Sequence, residues 1–260
     1  MMSEADRPDR LTNVPPDETN IVQPDETNVV HPDEITIVHL AVDYNTPRRP
    51  KTTNAVEWFV NELSAFDNVV IAMLRSSRPA IARLGMAAAV ECEARKGRLF
   101  DYPYFGLPLG IGLHRSMRAA ARGIIALLER EGIRPSLIHA HKFTFEGLAG
   151  WYVARHFEVP LFISLRGEVE TKVFRAKPLL RPFLRRVAQD ADRLYFVSAW
   201  FEPTFHAYVP GVAAKERRLP TSSATSHRGS PFAPPTRGWS QFFISTRGSA
   251  RAWPTCWMRW

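Results

Sequence analysis

Two short apolar runs constrain this chain more than anything else in it: Ser-Leu-Ile-His-Ala-His over 136–141 and Val-Pro-Leu-Phe-Ile-Ser-Leu-Arg-Gly over 159–167. Each ends abruptly in polar groups. A buried parallel strand has this form where its C-terminal end delivers side chains to a crevice. Between them, 145–157 reads as a helix with apolar residues at Leu148, Ala149, Tyr152 and Val153. Strand, helix and strand make a βαβ unit, and ligands bind outside the carboxyl ends of such strands. His139, His141, Arg166 and Glu168 are therefore candidates for one site.

The same alternation extends in both directions. Apolar strands are expected over 35–42, 68–74, 98–104 and 193–197, with helices over 54–66, 80–95, 114–131 and 199–208. A basic helical stretch is expected over 178–190, where arginines punctuate Leu179, Leu180, Phe183 and Leu184. Alternating strands and helices on this scale predict a single α/β domain over 34–216, a Rossmann-like doubly wound parallel sheet.

Flanking segments differ in kind. Prolines 16, 24 and 32 open copies of an eight-residue unit (Pro-Asp-Glu-Thr-Asn-Ile-Val-Gln in the first), so 1–33 reads as a disordered leader. No Asp or Glu follows Glu216, and 217–260 holds seven arginines and four of the seven tryptophans, with no helical or strand period beyond 241–245. Out-of-frame translation produces such sequence; a basic tail that binds membrane or nucleic acid is the alternative. The net charge of +8 suits anionic partners, although the charge is unevenly placed. Cys92 and Cys256 make neither a ligand pattern nor a disulfide framework. Apolar runs fall far short of the roughly 18 residues that span a bilayer. With no signal-peptide core either, a cytoplasmic location is expected, with peripheral contact at the inner face of a membrane.

The order of these pieces resembles the N-terminal domain of a family 4 glycosyltransferase of GT-B architecture. The resemblance rests on 137–141, Gly147-Leu-Ala, 159–167, 180–186, Ala191-Asp192 and Val197-Ser198. It continues to Lys215-Glu-Arg-Arg-Leu-Pro220 and stops where Thr221-Ser222 replaces the family's linker. It implies retaining transfer of a sugar from a nucleotide-sugar to a polysaccharide, lipid-linked or small-molecule acceptor, without a metal or other cofactor. The N-terminal domain would shape the acceptor side. A C-terminal domain carrying paired glutamates would hold the donor, so the chain alone is expected to be inactive. Glu18 and Glu26 match the spacing of that pair only because the leader repeats.

Arg166 stands where many relatives have a histidine, and it suits phosphate or acceptor hydroxyls as a fixed cation. His141 is the second catalytic candidate, while His139 is read as structural and on the opposite strand face. Gly167 would let a ligand approach the backbone, and Glu168 lies beside it. In the loop 43–53, Arg48, Arg49 and Lys51 could attract phosphate, though the family's glycine pair is missing there. Two histidines with no third ligand close in sequence argue against a metal. The basic stretch 178–190 fits anionic lipid, where lipid-linked acceptors reside; no specific nucleic acid is expected. A non-catalytic Rossmann-like binding module with a basic tail is the rival reading.

Overall fold

The computed structural model describes residues 34–50, 53–94 and 97–218. The repeat leader, most of the basic tail and Lys51 lie outside the described residues. Among the described residues eight strands form one sheet: β1 Thr36–Ala41, β2 Asp67–Ser76, β3 Val90–Cys92, β4 Arg98–Phe105, β5 Leu137–Ala140, β6 Leu161–Leu165, β7 Arg193–Phe196 and β8 Glu216–Arg218. Their order is β3-β4-β2-β1-β5-β6-β7-β8, and every pair is parallel except β3 with β4. The parallel strands run outward in chain order from β1 through β2 to β4 on one side and from β5 through β6 and β7 to β8 on the other, with β3 outside β4. The direction of winding thus reverses between β1 and β5, and a crevice opens at such a switch.

Seven α-helices of the described residues cover the faces: α1 Ala55–Glu62, α2 Pro79–Leu84, α3 Leu113–Arg130, α4 Glu146–Phe157, α5 Glu168–Ala176, α6 Arg181–Asp190 and α7 Glu202–Tyr208. The larger core lies between the sheet and α3, α4, α6 and α7. On α3, Leu113, Met117, Ala120, Ala121, Ile124, Leu127 and Leu128 are buried, the spacing that makes one apolar helical face. Helix α4 approaches so closely that a Cβ on Gly150 would stand 3.3–3.4 Å from Leu161, Ile138 and Leu40. The opposite face is covered by α1 through Val56 and Val60 and by Leu63 just after it, all three buried. Among the described residues no helix is long and apolar enough to cross a membrane.

The fold is the expected doubly wound α/β domain, with local departures. The helix expected over 80–95 ends at Leu84, because Gly85 turns left-handed at φ 50 and a short 3-10 turn follows. The chain then returns as β3, whose antiparallel pairing covers the outer edge of β4. Helix α5 was not anticipated, since its buried set is only Glu170, Val173 and Phe174. Strand β8 carries the sheet to Arg218, past the expected domain end at 216.

Candidate active site at the strand switch

Alternation along each strand brings one set of polar side chains to the α1 face. His39 on β1, His139 on β5 with His141 just after it, and Ser164 on β6 are all buried there beneath Phe59. Asn68 of β2 fixes the direction of the hydrogen bonds. Its Nδ2 donates to Leu63 O at 2.8 Å and Phe66 O at 2.9 Å, so its Oδ1 faces His39 Nε2 at 3.0 Å as acceptor. His39 Nε2–H is then the donor, and His39 Nδ1 accepts from His141 Nε2–H at 3.1 Å. His139 Nε2 lies 2.9 Å from Ser164 Oγ. Burial pushes His39 down to about 4 and holds His139 and His141 well below the ordinary imidazole value. Three neutral rings therefore form a chain across the sheet.

This arrangement corrects the sequence reading of His139. Residues i and i+2 of a strand share a face, and the two rings lie 4.3 Å apart. It also supplies the third histidine that the local spacing lacked, since His39, His139 and His141 have ligand nitrogens within 4.8 Å of one another. None of these is a carboxylate, one nitrogen pair is already hydrogen-bonded, and the charge of Arg166 bears on His139 and His141. A dication would have to displace that hydrogen bond and sit near the Arg166 charge. Glu202, His206 and Glu216 form a second such group at the β8 edge, where Arg218 already pairs with Glu202 at 2.8 Å.

The crevice itself is built by the segments that leave β1, β5 and β6. Glu146, the first residue of α4, is fully buried, and its Oε1 accepts the Val42 N–H at 2.9 Å. Its Oε2 has no hydrogen-bond partner. Burial raises this carboxyl to about 7, against the pull of Lys142 and the Val42 N–H. Lys142 forms a close ion pair with Asp43. Glu170, also buried, accepts the Phe143 N–H at 3.1 Å and the Gly167 N–H at 2.9 Å. Two buried carboxylates thus pin three loops to one another.

The candidate residues are distributed unevenly around this frame. Arg166 is half-buried at the end of β6, and its Nε is buried without a partner. His141 is buried in the histidine chain rather than presented at the surface. The space at Gly167 is filled from within: a Cβ there would stand 2.7 Å from Phe201 Cβ, and its N–H is held by Glu170. Glu168 is exposed and pairs with Lys172 at 2.7 Å. Arg48 lies 3.8 Å from Asp101, a buried carboxylate of β4, and Arg49 Nη1 donates to Val42 O at 2.7 Å. Sequence reasoning missed Glu146, Glu170 and Lys142. A glutamate inside the apolar stretch 143–149 was the available signal for Glu146.

Beside the switch a cleft of about 490 Å³ is lined by Val42, Arg49, Arg75, Tyr104, Ser116 and Phe145, among others. It combines apolar walls with two guanidinium groups, the composition of a site for a polar ligand with an apolar part. No curated protein matches the chain. Residues 72–222, more than half of it, match the family described as Glycosyl transferase 4-like domain. That span runs from within β2 past β8 and contains the loops that build the crevice on the β5 and β6 side. With its winding reversal, its crevice and this match, the chain belongs to the glycosyl transferase 4-like family.

Proposed function

We propose that this chain forms the acceptor-side domain of a retaining glycosyltransferase, moving a sugar from a nucleotide-sugar to a hydroxyl of a glycan or lipid-linked acceptor. The observation that supports this reading is a set of buried polar atoms without partners, Thr144 Oγ1, Glu146 Oε2 and Arg166 Nε, on the segments that follow β5 and β6. Each such atom costs about 1–3 kcal/mol, and a ligand bearing hydroxyls or phosphate would satisfy it.

In transfer, the bond between the anomeric carbon and the diphosphate oxygen breaks as the acceptor oxygen bonds to that carbon. The electron pair leaves with the diphosphate, and Arg166 opposes the charge that develops there. Glu146 is poised between its two forms near neutrality. Its oxygens are buried, however, so the acceptor hydroxyl's proton leaves with the departing diphosphate oxygen while Glu146 holds the loop after β1 through the Val42 N–H. The donor is assigned to a facing domain, because Arg48 is drawn to Asp101 and Arg49 to Val42 O, which leaves loop 43–50 little to offer a diphosphate.

The purified chain is expected to show no turnover with a panel of nucleotide-sugars and acceptors; robust transfer by the chain alone would overturn the assignment of the donor elsewhere. When it is joined to a donor-binding domain, Arg166→Ala should lower kcat at least about tenfold. Unchanged turnover would remove Arg166 from the mechanism.

A further inference from the structure

Two stretches far apart in sequence meet beside the cleft and share an unusual composition. Residues 102–128 and 171–189 contain no Asp or Glu, and they carry three and six Lys or Arg respectively. They touch where Lys177 Cε lies 3.2 Å from the place a Cβ on Gly110 would occupy, and where the His114 and Phe183 rings stand 4.2 Å apart. A second cavity of about 500 Å³ lies between them and shares Gly110 and Leu113 with the cleft at the switch.

The junction is also where the described residues expose their largest aliphatic side chains most. Leu179 is 91% exposed, Leu109 88% and Ile111 59%, and the aromatic Phe183 beside them is partly exposed. Leu109 moreover adopts φ 54, a conformation that is strained for a leucine, while its side chain packs against little that would offset the strain. Exposed leucines on separate turns, ringed by cations with no acid in either stretch, fit a fluid anionic surface that closes around each side chain. A folded partner would need one continuous complementary face instead.

We propose that this face docks on a bilayer bearing anionic headgroups. Leu109 and Leu179 enter the boundary between headgroups and acyl chains, and Arg115, Arg175 and Lys177 meet lipid phosphates. The cleft then opens at the lipid surface through Gly110 and Leu113, where a lipid-linked acceptor could enter. The docking surface goes beyond the transferase reading and does not depend on it.

Flotation of the full chain with vesicles tests it, with no sugar donor present. The chain should float with vesicles of phosphatidylcholine and phosphatidylglycerol and stay behind with phosphatidylcholine alone. The pair Leu109→Asp and Leu179→Asp should cut the bound fraction at least about tenfold while the melting curve is unchanged, since both positions are exposed. Arg175→Glu with Lys177→Glu should do the same and weaken the salt dependence. Failure of the unaltered chain to float with anionic vesicles overturns the proposal. So does equal flotation of the leucine pair variant, which would assign lipid binding to the arginine-rich residues after 218.

Discussion

Glu146 Oε1 accepts the backbone N–H of Val42 at 2.9 Å, so a carboxyl at the start of α4 holds the chain that leaves β1 across the strand switch. Glu170 does the equivalent for the next pair of loops, from α5 to Phe143 and Gly167. Both groups are fully buried. The loops at the carboxyl ends are therefore set by side chains of the helices that follow them, and this rigidity is what a site made of loop ends requires.

Replacement of Glu146 by glutamine should reveal its proton. The carboxyl rises from 4.5 to about 7 in the fold, so between those values the folded chain binds more protons than the unfolded one. Stability then falls as pH rises through that window, by at most about 3 kcal/mol. Glu146→Gln keeps an oxygen for Val42 N–H and carries no charge, so it should lose this falling contribution, and its stability relative to the unaltered protein should climb between pH 5 and about 8. The variant should also be the more stable of the two at the alkaline end. An unaltered pH profile would mean that Glu146 does not titrate there.

The sheet was legible because its strands are short, mainly apolar runs, as at 137–140 and 161–165 where one polar residue stands in each, and because the helices between them repeat apolar residues at three and four. The site was less so. Arg166 was singled out, since a cation closing an apolar run is conspicuous. His39 was overlooked as one more residue of the first strand, because what makes it a partner of His141 is a pairing across 102 positions. Glu146 and Glu170 have helical neighbours that explain them equally well as surface residues. Only the closure of the loops over them makes them buried.

Acid should unfold this chain steeply. The three histidines of the sheet are neutral in the fold, with His39 lowered to about 4 and His139 and His141 also depressed. Unfolded imidazoles take up protons near 6.5, so stability is intact above that value and is lost as pH falls toward the folded values. Three protons would give a slope of up to about 4 kcal/mol per pH unit, which the raised carboxyl of Glu146 offsets by up to about 1.4, so the slope is best read in the Glu146→Gln background. Urea titrations between pH 7 and about 5 measure it. A slope below one proton's worth would show that the rings are not buried together.

Asn68 sets the tautomers of this chain through its two donors to Leu63 O and Phe66 O. Asn68→Ala should cost about 2–4 kcal/mol, because His39 Nε2–H and both carbonyls lose their partner inside the core. Asn68→Asp keeps the acceptor for His39 yet faces the same carbonyls with a second oxygen. It should destabilise comparably at neutral pH while raising the His39 pKa, a pair of effects no simple packing loss produces. Nitrogen chemical shifts of the His39 ring should show Nε2 protonated and Nδ1 bare in the unaltered protein.

Gly167 tests how closely the turn after β6 is tied to the rest. Its φ is 105, a value that L side chains rarely adopt, and a Cβ would come within 2.7 Å of Phe201 Cβ and 2.9 Å of Trp200. Phe201 is fully buried and cannot give way, whereas Trp200 is exposed and can. Gly167→Ala should therefore cost about 2–4 kcal/mol and move the turn rather than the tryptophan. Because the Gly167 N–H is bound to Glu170, that movement should also loosen Phe143 N–H, the other donor to the same carboxylate. Amide exchange at Phe143 should then accelerate in the variant. Combining Gly167→Ala with Phe201→Ala should recover part of the stability lost to the clash, though not the part due to φ. If the alanine variant melts with the unaltered protein, the turn relaxes freely and cannot hold Arg166 in place.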